Sequence, residues 1–182
     1  MKFRFPIVII DEDFRSENTS GLGIRALAEA IEKEGFEVLG VTSYGDLSQF
    51  AQQQSRASAF VLSIDDEEFT PGPDLDPAVL SLRTFIEEVR WKNADVPIYV
   101  YGETKTSRHL PNDILRELHG FIHMFEDTPE FVARHIIREA KGYLGGIQPP
   151  FFKELLDYAE DGSYSWHCPG HSGGVAFLKS PI

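Results

Sequence analysis

Apolar and polar positions alternate in blocks along this chain. Phe5 to Ile10 reads FPIVII, an unbroken apolar run that stops at Asp11. Such a run predicts a strand buried on both faces. From Ser20 to Glu34, Ile24, Leu27, Ala28 and Ile31 recur at helical spacing, and Gly35 is placed to end the helix. FEVLGV, Phe36 to Val41, predicts the second strand, and Leu47 to Gln54 a short, weakly patterned helix. AFVLSI, Ala59 to Ile64, predicts the third strand, followed by a loop rich in Pro and Gly. Pro77 to Trp91 predicts a helix that buries Val79, Leu82, Phe85, Ile86 and Val89. VPIYVY, Val96 to Tyr101, is the fourth strand, Ile114 to Leu118 a short helical piece, and GFIHMF, Gly120 to Phe125, the fifth strand. Thr128 to Tyr143 predicts a long helix with Phe131, Val132, His135, Ile136 and Ala140 on one stripe.

Five strands alternating with five helices predict an α/β fold. The expected form is a doubly wound, five-stranded parallel sheet of flavodoxin-like shape, with right-handed crossovers. The domain is expected to span residues 1–141. Residues 142–182 have a different texture. GYLGGIQPP, Gly142 to Pro150, concentrates Gly and Pro and reads as a linker. Phe151 to Glu160 predicts a short amphipathic helix ended by Gly162, with an irregular loop after it. A helix that short needs something to dock on.

Composition narrows the function. Asp and Glu number 29 against 17 Lys and Arg, a formal charge of −12, and this argues against a nucleic-acid partner. One cysteine excludes an internal disulfide and suits a reducing compartment. The N-terminal apolar run is too short for a secretory signal, and no window reaches the ~20 apolar residues of a membrane span. A cytoplasmic protein with no membrane partner is expected.

Candidate chemistry sits first at the strand ends, where open α/β sheets bind ligands. Asp11, Glu12 and Asp13 follow strand one, Asp65 and Asp66 strand three, and Glu103 and Thr104 strand four. Clustered carboxylates of this kind suit Mg²⁺. The arrangement resembles the phospho-acceptor receiver domain of two-component response regulators. There an acidic pair holds Mg²⁺, an Asp ending strand three takes the phosphoryl group, a Thr or Ser follows strand four, and a Lys follows strand five. Asp11 with Glu12, Asp65 and Thr104 match. The lysine does not, because strand five runs into GFIHMFEDTPEF and Lys105 follows strand four instead. Without that cation, charge on a phosphoryl group goes uncompensated. The expectation is a receiver-like shape with vestigial receiver positions, whose acids are solvated loop residues. No GxGxxG or GxxxxGK[ST] motif points to a nucleotide.

The second concentration is YSWHCPGHSGG, Tyr164 to Gly174. His167, Cys168 and His171 suggest zinc, but no further ligand pair stands at a suitable spacing. Cys168 beside His167 suggests a nucleophile, but adjacent side chains rarely face each other and no third group orients them. His123 and His135 are read as packing or partly exposed histidines, and His109 and His119, near loops and helix ends, are given no role. No catalytic, cofactor-binding or metal-binding residue is assigned.

As a whole, the segment PPFFKELLDYAEDGSYSWHCPGHSGGVAFLKSP resembles the junction of the bacterial inducible lysine, arginine and ornithine decarboxylases. Those are pyridoxal-phosphate (PLP) enzymes of the aminotransferase fold. Pro149 to Phe152 match the family's PPFF opening and Tyr164 to Ala176 its YSWH-x-PGH-x-GG-x-A loop, with Cys168 where Thr is common. EDTPEFVARHI, Glu126 to Ile136, resembles the end of the family's receiver-like wing domain. The resemblance implies that this chain is the wing and linker of a longer enzyme, with the start of its PLP domain. The complete protein would remove CO₂ from a basic amino acid to give a diamine or agmatine. It would consume a proton in doing so, which suits acid stress. It would be a dimer-based homo-oligomer, with a decamer as the larger form. The cofactor lysine would lie outside these residues, since Lys179 does not match it. This chain alone would carry no PLP and no activity. His167, Cys168, His171, Gly173 and Gly174 would line or brace the approach to the cofactor domain. The competing readings are a stand-alone signalling receiver and a plain protein-interaction module.

Overall fold

The computed structural model describes residues 3–44, 57–64, 77–147, 164–167 and 176–179. The expected helix at Leu47–Gln54, the acids Asp65 and Asp66, and the expected helix at Phe151–Glu160 lie outside them. So do Cys168, His171, Gly173 and Gly174.

Five strands form one parallel sheet: β1 (Phe3–Ile10), β2 (Phe36–Val41), β3 (Ala59–Ser63), β4 (Ile98–Gly102) and β5 (Gly120–His123), in the order β2-β1-β3-β4-β5. The helices are α1 (Thr19–Lys33), α2 (Pro77–Lys92), α3 (Thr104–Ser107), α4 (Asn112–Glu117) and α5 (Pro129–Ile147). The expected doubly wound, receiver-like fold is the observed one. Its two cores follow from the pleat. Ile7 and Ile9 of β1 join Ile24, Leu27 and Ile31 of α1 and Val132, Ile136 and Ala140 of α5 on one face. Val8 and Ile10 join Leu82, Phe85, Ile86 and Val89 of α2 and Ile114 of α4 on the other. Successive side chains point to opposite faces, so a central strand between two helical layers must be apolar throughout.

Pro6 leaves a mark on this pattern. It has no N–H, and the β1–β2 register shifts between Phe3↔Phe36 and Ile7↔Val38. The ladder with β3 starts just beyond it, at Ile7↔Ala59. The Pro6 carbonyl is still used, accepting from Ser58 N–H at 2.9 Å. The buried Ser58 hydroxyl also donates to Phe5 O at 3.0 Å.

Helix α1 begins where Asn18 Oδ1 accepts the Gly21 N–H at 2.8 Å. Gly35 ends it at φ 94°, a left-handed conformation that favours glycine.

Two expectations are corrected. Helix α5 continues through Gly142, Gly145 and Gly146 to Ile147, residues whose composition suggested a linker. Its earlier turns bury Ile136, Ile137, Ala140 and Leu144, and packing outweighs the low helix propensity of glycine. The stretch after Gly162, expected to be irregular, contains β6 (Tyr164–His167) and β7 (Ala176–Lys179). They pair antiparallel, with His167↔Ala176 at one end and Tyr164↔Lys179 at the other.

Candidate functional site at the carboxyl edge of the sheet

Asp11 leaves β1 directly into a 3-10 turn, Glu12–Arg15. Its backbone N–H extends the sheet by donating to Val41 O at 3.0 Å. Its Oδ1 accepts the Asp13 N–H at 2.8 Å and so caps the turn. The residue is only 2% exposed, and Oδ2 makes no hydrogen bond of good geometry. Burial pushes the carboxyl above its ordinary value, against the pull of the nearby Ser63 side chain and the Asp13 amide. Asp11 is therefore a buried half-capped acid, whereas the sequence suggested a solvated one. Its neighbour Glu12 is exposed.

The turn is held by glycine packing. A Cβ on Gly21 would stand 2.4 Å from the carbonyls of Asp13 and Ser16, and one on Gly40 would stand 2.1 Å from the Phe14 ring. Arg25 Nη1 donates to Phe14 O at 3.0 Å and also to Ser16 O.

Thr104 opens α3, beyond β4. Its Oγ1 donates to Glu126 Oε1 at 2.6 Å and lies 3.1 Å from His123 Nδ1. One hydroxyl carries one proton, so with that proton on Glu126 the His123 Nδ1–H is the donor to Oγ1. The His123 backbone N–H donates to Asp127 Oδ2 at 2.8 Å, which closes the turn carrying Glu126. A receiver places a lysine after strand five. Here the group from that loop that meets Thr104 is a carboxylate. Lys105 does not substitute, since its Nζ pairs with Glu103 at 2.9 Å and is largely exposed.

The structure thus places Asp11, Glu12 and Thr104 on one edge of the sheet, at the ends of β1 and β4. Glu126 and His123 complete the Thr104 cluster and carried no role in the sequence. The available signal was positional, since the loop after strand five opens onto the same edge. Among the described residues, no group of three His, Cys, Asp or Glu could hold a metal ion. His135 packs its ring edge-on to Tyr99 at 5.9 Å, in line with a packing role. His167 lies in β6, at its register position opposite Ala176.

A receiver-like α/β domain with a carboxylate in place of the receiver's cation is the class that the fold and edge define. Solved structures agree on the shape. A response regulator receiver domain from Clostridium thermocellum superposes with TM-score 0.53 at 13% identity, covering 84% of this chain and 98% of its own. Residues 19–143 match the N-terminal domain of the Orn/Lys/Arg decarboxylases, and residues 149–182 match the same family's major domain. The chain belongs to the Orn/Lys/Arg decarboxylase family. It is 31% identical to lysine decarboxylase LdcA of Pseudomonas aeruginosa over 98% of this chain and 24% of that protein. It is 27% identical to the biodegradative arginine decarboxylase of Escherichia coli K12 over 96% of this chain and 22% of that protein. The solved lysine decarboxylase A from Pseudomonas aeruginosa superposes with TM-score 0.69 at 28% identity, covering 94% of this chain and 23% of its own. The chain spans about a quarter of the length of these relatives.

Proposed function

We propose that this chain is the wing and linker of a PLP-dependent basic amino acid decarboxylase, with an architectural role in assembling the enzyme and no turnover of its own. The observation that carries the reading is the order of two family matches in one chain. An N-terminal-domain match ends at residue 143 and a major-domain match starts at residue 149.

The acidic edge supports a non-catalytic role. Asp11 and Glu126 stand where a cofactor phosphate would need N–H donors and cations. Lys105, which follows β4, is engaged with Glu103. The described residues therefore do not fit PLP. In this reading the cofactor, and the carbanion stabilisation it supplies, belong to the major domain. His167, Cys168, His171, Gly173 and Gly174 then brace the entry to that domain. The substrate is lysine, arginine or ornithine, and the parent enzyme is a dimer-based cytoplasmic oligomer serving acid stress. The Thr104–Glu126 hydrogen bond weighs against the stand-alone signalling receiver.

The test has two arms. The 182-residue chain, incubated with PLP and each of the three amino acids, is expected to release no CO₂. Deleting residues 1–141 from the full-length enzyme is expected to lower its assembly state, seen by native mass spectrometry. Turnover by the short chain, or an unchanged assembly after deletion, would refute the reading.

A further inference from the structure

We propose that the cleft at the carboxyl ends of β1, β2 and β3 binds the ammonium end of a small aliphatic amine, with Asp11 as its counter-charge. The cleft has a volume of about 240 Å³, below the ~300–1,000 Å³ of drug-sized pockets, which suits a small ligand. It lies at the switch point of the sheet, where β1 sits between β2 and β3 and the crossovers diverge.

The lining selects the ligand. Asp11 supplies a buried carboxylate oxygen with no hydrogen-bond partner, the kind of group that costs free energy until a donor reaches it. Around it stand Glu12 and the hydroxyl residues Tyr44, Ser63 and Ser81. The Tyr44 hydroxyl donates to Ser63 O at 3.1 Å, which leaves its oxygen able to accept. Ile64 provides an apolar wall for an alkyl stem. A primary ammonium has three N–H donors and a positive charge, so it answers both the carboxylate and the neutral acceptors. Among the described residues of this lining there is no Lys or Arg to meet an anion, and the whole chain carries −12. Mg²⁺ demands near-octahedral oxygen coordination. Here Asp11 Oδ1 already accepts the Asp13 N–H, and among the described residues the lining carboxylates are Asp11 and Glu12.

The groups facing Asp11 are Glu12 and Asp13 on its own loop, Tyr44 beyond β2, Ser63 on β3 and Tyr101 on β4. The charge acting on it is that of another carboxylate, Asp13. A bound cation relieves this environment, so binding weakens as falling pH protonates Asp11.

The site stands on the cleft's chemistry and would survive failure of the decarboxylase reading, which guides only the choice of diamine probe. The test is a titration of the ¹⁵N-labelled 182-residue chain with n-pentylamine, 1,5-diaminopentane and MgCl₂ at constant ionic strength. The Asp13 amide reports directly, because it is bonded to the Asp11 carboxylate. Saturable Asp13 shifts with both amines are expected, weakened by about 10-fold or more in Asp11→Asn, as for a charge-assisted hydrogen bond. Ser81→Phe, a change at an exposed position of the cleft lining, is expected to abolish the shifts with Asp11 intact. No saturable shift, equal binding by both variants, or a response to Mg²⁺ alone would overturn the proposal.

Discussion

Thr104 donates its hydroxyl proton to Glu126 at 2.6 Å, and His123 stands 3.1 Å from the same oxygen. This relationship turns a receiver-like edge away from phosphoryl transfer. The hydroxyl that would meet a phosphoryl oxygen is committed to a carboxylate, and that carboxylate would repel the incoming charge. Incubation with acetyl phosphate and Mg²⁺ is expected to leave the intact mass unchanged. A gain of one phosphoryl group would contradict the assignment. Thr104→Val should cost about 1 kcal/mol in chemical denaturation, the usual worth of such a hydrogen bond.

Asp11 makes stability depend on pH with a definite sign. Burial raises its pKa in the folded chain above the ordinary 3.8. Between the two values the folded state holds more protons than the unfolded one, so stability falls as pH rises through that window. The contribution is present below the unfolded value and lost above the folded one. Asp11→Asn keeps an oxygen for the Asp13 amide and removes the buried charge. It is expected to raise stability at neutral pH by about 1–3 kcal/mol and to flatten this part of the pH profile. A variant less stable than the parent at neutral pH would contradict the account.

The loop after β1 depends on two close approaches. Gly21→Ala sets a methyl against two backbone carbonyls, and Gly40→Ala sets one into the Phe14 ring. Both should destabilise, by about 1–3 kcal/mol, as overpacked sites do. Gly21→Ala should be the worse, because a ring can move aside more easily than two carbonyls. Thermal denaturation of the two variants decides the order.

Two ion pairs tie α2 to α4, and they should differ in worth. Arg83 reaches Asp113 at 2.8 Å in a solvent-exposed pair. Arg90 reaches the Glu117 carboxylate at 2.8 Å and also donates to Val96 O at 2.8 Å and Glu117 O at 2.7 Å. Arg83→Ala is expected to cost at most about 1 kcal/mol, with a loss that shrinks in high salt. Arg90→Ala should cost more and vary less with salt, because it leaves backbone carbonyls unpaired.

The fold was legible because its signals are long and redundant. FPIVII and AFVLSI admit few environments other than a sheet covered on both sides, and the α1 and α5 stripes repeat over several turns. The hairpin of β6 and β7 was not legible, because its strands have four residues each and their pairing is a long-range fact. The end of α5 is not legible either, because Gly142, Gly145 and Gly146 suggest a break while the packed turns before them sustain the helix. Of the edge, the positions of Asp11 and Thr104 could be read from strand ends. The Thr104–Glu126 bond spans 22 residues between two loops, and no local pattern encodes it. Asp11 read as a solvated acid because sequence shows the residue but not its burial.

The central claim is that these residues serve as the wing of a longer decarboxylase. The intact mass of the native polypeptide carrying this sequence, purified from its source organism, tests it most directly. The residues matched occupy 24% of the Pseudomonas relative, so a mass roughly four times the 20.5 kDa of this chain is predicted. A native polypeptide of 20.5 kDa would contradict the claim.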